Sequence, residues 1–235
     1  MEEFAAKTRE ICDLYIESAD MENEAVHVYS TDEKMGIQAR EHKNPVIPMS
    51  EGHAERIDPE YIRHGTSGII ASRHVATGEI VAPLVQPTRT EEDFAKHIEA
   101  VIKTDKNGKF VFITDNLNTH KSETLVRLVA QIEGIDAESL GKKERYGILK
   151  NMISRESFLS DPSHKIVFVY TPKHCSWLNQ IECWFSIITR LLLNRRASFC
   201  SVEDLQKRIF AFIEYYNRFM KKPFLWNYKG KFLIA

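Results

Sequence analysis

The stretch KFVFITDN, residues 109–116, decides how the chain is read: an apolar run, Phe110 to Ile113, starts at a KNGK turn and stops at an acid, Asp115. A short apolar run bounded by turn chemistry reads as a strand. Two other segments share its form. VHVYSTD, residues 26–32, ends in Asp32, and KIVFVYTP, residues 165–172, is closed by a proline. Between them GIIASRHVATGEIVAPLVQ, residues 68–86, gives two strand-like runs joined by Ala76-Thr77-Gly78-Glu79, a hairpin that needs a positive φ at its glycine.

Helices fill the intervals. TRTEEDFAKHIEAVIKT, residues 88–104, opens with Thr90 as N-cap and Asp93 three residues on, and sets Phe94, Ile98, Val101 and Ile102 on one face. HKSETLVRLVAQI, residues 120–132, follows the central strand. EEFAAKTREICDLYIE, residues 2–17, reads as an amphipathic lead-in helix, and two more helices are expected over roughly Trp177–Asn194 and Ser201–Met220. The proline- and charge-rich residues 40–60 read as a surface loop, and residues 134–165, with three glycines and Asp161-Pro162, read as a partly helical insertion, either a surface elaboration or a disordered loop. Strand, hairpin, helix, strand, helix, strand, helix, helix predicts an α/β fold with a mixed central sheet flanked by helices. The expected divisions are a lead-in helix over 1–24, one domain over 25–222 and a basic aromatic tail over 223–235.

A chain of 235 residues, 43% hydrophobic and 28% charged, buries a core of its own. No apolar run approaches the roughly 18 to 20 residues of a membrane span, and MEEFAAKTRE is not a signal peptide, so a cytoplasmic protein with no membrane partner is expected. Cys12, Cys175, Cys183 and Cys200 form no CxxC pair, which excludes a zinc knuckle and predicts buried reduced thiols. The net charge of −1 hides an uneven distribution: eight acids against Lys7 and Arg9 before residue 25, and a basic excess after Cys183. Lys173, Arg190, Arg195 and Arg196 are the candidates for contacts to a phosphate backbone.

The chemistry is expected where the strands end. Asp32 and Asp115 close two of them, and Glu182 lies on the helix after the third, on an apolar helix face with Trp177, Leu178, Ile181, Trp184, Phe185, Ile187 and Ile188, with the tryptophans assigned to the core. An aspartate at a strand end is by itself more often a turn former. Three acids at matching topological positions would repel and raise one another's pKa unless divalent cations received them. Among the neighbours, Asn116 is expected to orient Asp115, His120 to touch substrate or cap the next helix, and Asn179 and Gln180 to meet DNA or the acids.

STDEKMGIQAR (30–40), EYIRHGTSGIIASRHVATGEIV (60–81), FITDNLNTHKS (112–122) and YTPKHCSWLNQIECWFSI (170–187) resemble the signature blocks of the insertion sequence 630 family of bacterial transposases, relatives of the mariner group. The resemblance implies a ribonuclease H-like fold with a DDE triad, here Asp32, Asp115 and Glu182. It further implies Mg²⁺ or Mn²⁺, two ions, as cofactor and double-stranded DNA as partner, with Lys34 near a phosphate. The reaction implied is strand cleavage at transposon ends and attack of the freed 3′-hydroxyl on target DNA, typically at TA, by two copies acting together. Family members carry helix-turn-helix modules ahead of this core, and no such module fits the acidic first 24 residues. The alternative is therefore a non-catalytic truncated remnant that binds DNA or a transposase partner. A structure-selective nuclease on the same fold is the third reading.

Overall fold

The computed structural model describes residues 2–230, with side chains from residue 4 onward; the last five residues of the predicted tail lie outside it. The elements run α1 (Glu2–Asn23), β1 (Val26–His42), β2 (Tyr61–His74), β3 (Ile80–Gln86), α2 (Glu91–Ile102), β4 (Lys109–Thr114), α3 (Glu123–Glu133), α4 (Met152–Leu159), β5 (Ile166–Tyr170), α5 (Ile181–Leu191) and α6 (Val202–Phe219). One sheet has the order β3-β2-β1-β4-β5. β1 is antiparallel to β2, which is antiparallel to β3, while β1, β4 and β5 run parallel. The sheet is mixed, as the element order predicts.

Strand alternation divides the core between the two faces. Phe110 and Phe112 of β4, with Tyr29, Phe168 and Tyr170 from its neighbours, pack against Phe94, Ile98 and Val101 of α2 and Leu125, Val126 and Val129 of α3. The aromatic rings stack across the strands, Tyr29 on Phe112 at 5.6 Å and Phe112 on Phe168 at 5.2 Å. Val111 and Ile113 point the other way, with Val28 and Val169, onto Ile11, Cys12 and Tyr15 of α1. On that face β1 and β2 also carry Ile37, Ala39, Ile69 and Ala71 beneath α5 and α6. The parallel strands are thus covered on both sides, which is why they read as unbroken apolar runs.

The local signals for α2 and the hairpin hold. Thr90 and Asp93 form the capping box. Gly78 has φ +76°, and a Cβ there would stand 2.0 Å from the Lys222 carbonyl oxygen, so the turn needs both the conformation and the missing side chain.

Other expectations are corrected. The first strand does not end at Asp32; it runs on to His42, because β2 keeps pairing with it, Glu33 with Ile70 through His42 with Tyr61, after β4 has ended. The helix expected from Trp177 begins only at Ile181, after a 3₁₀ turn at Ser176–Leu178. Trp177 is 52% exposed rather than core, whereas Trp184 is fully buried. Cys183 and Cys200 are exposed, and only Cys12 and Cys175 are buried. Residues 134–165 are not a loose loop: Leu140, Leu149 and Leu159 are buried in the same cluster as Phe112 and Phe168. Among the described residues no helix is long and apolar enough to cross a membrane.

His97, fully buried on α2, donates from Nδ1 to the Ala82 carbonyl at 2.9 Å and accepts at Nε2 from the Ser72 hydroxyl at 2.8 Å. Both bonds suit a neutral ring, and burial pushes its pKa down from 6.5 to about 4. The folded state therefore binds fewer protons than the unfolded chain, so this contribution is complete above pH 6.5 and is lost as pH falls towards 4. By pH 5 the loss amounts to about 2 kcal/mol. Asp32 and His120, with pKa values raised to about 8 and about 10, contribute in the opposite sense over the same range, so the effect is read as a difference: between pH 7.5 and pH 5, urea unfolding of the native chain is expected to lose about 2 kcal/mol relative to His97→Gln.

Candidate active site

The site follows from strand register. β1 and β4 pair in parallel from Val26 with Lys109 to Ser30 with Ile113. The same offset carried two residues further sets Asp32 against Asp115, at the carboxyl edge of the parallel strands. A carboxylate oxygen of each and a ring nitrogen of His120 lie within 4.8 Å of one another.

The two acids sit in different electrostatic surroundings. Asp32 is 8% exposed; one oxygen accepts from the Glu33 amide at 2.8 Å and the other from Nδ2 of Asn179 at 3.2 Å. Burial, and then the nearby charge of Asp115, push its pKa up to about 8. Asp115 is more open and accepts from the Leu117 amide at 2.9 Å and from Nδ1 of His120 at 2.8 Å. Burial alone would raise its pKa, but the bond and charge of His120 outweigh it and hold the carboxyl below its usual range.

His120 is wholly buried and its Nε2 lies 2.9 Å from Oε2 of Glu33, whose side chain is 2% exposed. Burial opposes a charge on the ring, yet the two carboxylates raise its pKa to about 10. Glu33 is correspondingly lowered: burial would raise it, and the His120 bond and charge prevail. An imidazolium thus spans two carboxylates, with the Phe94 ring 4.2 Å away.

Asn179 ties the approach to α5 onto β1. It is fully buried; its Oδ1 accepts from the Ser30 hydroxyl, and its Nδ2 donates to the Thr31 carbonyl at 3.1 Å as well as to Asp32. Ser30 Oγ in turn accepts from the Ile181 amide at 2.8 Å, at the first residue of α5. Glu182 is the next residue.

The family model for DDE superfamily endonucleases matches residues 27–206, an interval that holds all of this machinery. The chain belongs to that family. This DDE endonuclease resembles crystal structures of the Mos1 mariner transposase. The Mos1 paired end complex with Mn aligns at a TM-score of 0.52 with 11% identity, covering 93% of this chain and 58% of that one. The Mos1 catalytic domain alone aligns at 0.51 with 9% identity over 93% of this chain and 87% of the other. A Mos1 catalytic domain with raltegravir and Mn gives 0.52 and 8%, covering 93% and 88%. At such identities the likeness is one of fold, the ribonuclease H-like architecture that the family resemblance implies. The chain spans just over half the length of the paired-end-complex chain. No curated protein sequence matches.

The remaining predicted residues of the DDE endonuclease are placed as follows. Glu182 lies in the first turn of α5 and is exposed, outside the compact Asp32–Asp115–His120 group. It is not on an apolar helix face. Ile181, Trp184, Phe185 and Ile188 turn inward at helical spacing, and Glu182 emerges between them. Asn116 bonds not to the Asp115 carboxylate but to the Thr171 carbonyl and, at 2.6 Å, to Nζ of Lys121. His120 does not cap α3; Ser122 does. Lys173, Arg190 and Arg195 are exposed and Lys34 is half-buried, lining a cleft with Gln38, Arg40 and Thr189. Arg196 is paired with Glu55 at 3.0 Å.

Sequence reasoning missed four contributors. Glu33 follows Asp32 in the strand and so faces the opposite side of the sheet, where it meets His120. Buried Arg73 of β2 donates to Gln180 Oε1 at 2.7 Å, and Tyr15 of α1 donates to the Leu178 carbonyl at 2.7 Å; both are long-range contacts with no local signal. Lys121 lies over the Tyr170 ring at 4.2 Å and pairs with Glu156 of α4 at 2.7 Å.

The His120 pairing is testable by stability. His120→Ala leaves Glu33 charged and buried without its partner, and a loss of about 3–5 kcal/mol in denaturant unfolding is expected. Glu33→Gln in the same chain is expected to recover part of that loss, because the stranded charge is gone. A double variant no more stable than His120→Ala would mean that Glu33 carries no unpaired charge in the single variant.

Proposed function

We propose that this DDE endonuclease is the catalytic domain of a metal-dependent transposase, with Asp32, Asp115 and Glu182 as its three acids. The observation that carries the reading is the charge balance at the paired strand ends. Asp32, Glu33 and Asp115 share one imidazolium, His120, which faces Glu33 and Asp115, and among the described residues no cation is bonded to Asp32. Burial, and then the charge of Asp115, raise the pKa of Asp32 with no bonded cation to offset them. Carboxylate oxygens of this kind fit Mg²⁺ or Mn²⁺. When bound, a pair of such ions supplies Lewis acidity and an activated water for phosphodiester cleavage and for attack by a 3′-hydroxyl.

The chain's own residues prepare that chemistry. His120 occupies one oxygen of Asp115 and fixes the rotamer that presents the other. The Glu33 amide and Asn179 hold one oxygen each of Asp32 and fix its rotamer, and Asn179, through Ser30 and Ile181, sets where α5 begins, so that Glu182 stands one residue past the anchor. Double-stranded DNA is the proposed substrate, with Lys34, Lys173, Arg190 and Arg195 on its phosphates. Strand transfer joins two ends to a target, which favours two copies of the domain; the existence of a Mos1 paired end complex supports this.

Nicking of supercoiled plasmid in Mn²⁺ tests the reading. Asp32→Asn, Asp115→Asn and Glu182→Gln are each expected to lower the rate by about 10³-fold, the scale of several kcal/mol of charge stabilisation. Nicking that persists in EDTA, or is unchanged in all three variants, would reject it. For DNA affinity, Arg190→Ala and Arg195→Ala are each expected to weaken binding of unrelated sequences alike and to reduce the salt slope by about one. Arg196→Ala is expected to do less, because Glu55 already holds that guanidinium.

A further inference from the structure

A second group of ligating side chains converges at the opposite end of β1. Glu22 in the last turn of α1, His27 at the start of β1 and His74 at the end of β2 bring one carboxylate oxygen and two ring nitrogens within 4.8 Å of one another. Oε2 of Glu22 stands 2.9 Å from Nδ1 of His27 and 2.9 Å from Nε2 of His74. The His27 and His74 side chains are only 14% and 7% exposed, while Glu22 at 33% leaves one side open to solvent. Five residues separate His27 from Asp32 along the strand, about 16 Å, so the two clusters are distinct.

The outward nitrogens are held too. Nε2 of His27 lies 2.9 Å from Oδ2 of Asp105, and Nδ1 of His74 lies 2.8 Å from the Thr77 hydroxyl oxygen. A histidine paired with one acid is ordinary. Here both rings aim an inner nitrogen at the same oxygen, and both outer nitrogens are anchored by an acceptor. That is the arrangement by which proteins fix the tautomer and ring orientation of metal-binding histidines.

We propose that Glu22, His27 and His74 bind a divalent transition-metal ion of the zinc type, with Asp105 and Thr77 orienting the two imidazoles. Two imidazoles and a carboxylate form a three-ligand zinc set whose fourth position is left to water. Bonds of about 2.0–2.1 Å in a tetrahedron place neighbouring donors about 3.4 Å apart. The 2.9 Å separations need to open by only about half an ångström to meet that. The imidazoles also separate this site from the oxygen-only acids at Asp32 and Asp115, which favour Mg²⁺. The ion would clamp the end of α1 to the first residues of β1 and the last of β2.

The test uses the full chain carrying Asp115→Asn, which removes the other cluster as a competing site, titrated with ZnCl₂ by calorimetry and followed by thermal unfolding. One equivalent is expected to bind and to raise the melting temperature with concentration, as mass action requires. His74→Gln is expected to lose at least 100-fold in affinity, and Asp105→Asn about 10- to 100-fold. X-ray absorption at the zinc edge is expected to show imidazole nitrogens at about 2.0 Å. Asp105 is a loop residue, so its variant keeps the test decisive even if His74→Gln fails to fold. No rise in melting temperature at 100 µM Zn²⁺ (on the order of 100-fold above a micromolar Kd), uptake undiminished in Asp105→Asn, or an absorption edge without imidazole ligands would overturn the proposal.

Discussion

The parallel pairing of β1 with β4 is the constraint on which both fold and site depend. Parallel strands cannot be joined by a tight turn, so the chain must leave β1, return through the β2–β3 hairpin and cross by α2 before β4 begins. That excursion covers one face of the sheet with α2. The register then decides the chemistry: Ser30 opposite Ile113 makes Asp32 and Asp115 neighbours at the edge. A slip of one residue would turn one acid to the other face of the sheet and separate the pair.

Bringing acids together costs free energy, and the structure divides that cost unequally. One imidazolium satisfies Glu33 and Asp115, which sit below their usual pKa, while Asp32 absorbs the repulsion and the burial and rises. Glu33 therefore acts through His120: it stabilises the ring in the charged form that holds Asp115. On the other face Asn179 bonds a hydroxyl, a backbone carbonyl and a carboxylate at once, so the start of α5 and the orientation of Asp32 are set by the same buried amide.

How far this was legible in the sequence depends on the range of the interaction. Strands β4 and β5 were readable because double-sided burial leaves an apolar run, and α2 because its capping box is written within four residues. Asp32 and Asp115 were readable because each follows such a run. The extent of β1 was not, since its second half pairs only with β2 and carries polar residues. The partners of His120 were not, because Glu33 is 87 residues away and belongs to a different strand face. Trp177 was misplaced because hydrophobic residues adjacent in sequence were read as one helix face, although the helix starts four residues later.

The segment 134–165 illustrates how a region without clear periodicity can still be wired to the site. Its leucines, Leu140, Leu149 and Leu159, are shared with the core beneath β4 and β5, which fixes the position of α4. From α4, Glu156 holds Lys121; Lys121 holds Asn116 and lies over the Tyr170 ring; Asn116 reaches the Thr171 carbonyl. The chain of contacts closes over the turn that leaves β4, the turn on which Asp115 and His120 stand. A buried lysine is tolerable only with such partners around it. The segment therefore belongs to the support of the acids as well as to the core, and its lack of a repeating apolar pattern reflects packing by three separated leucines rather than by a helix face.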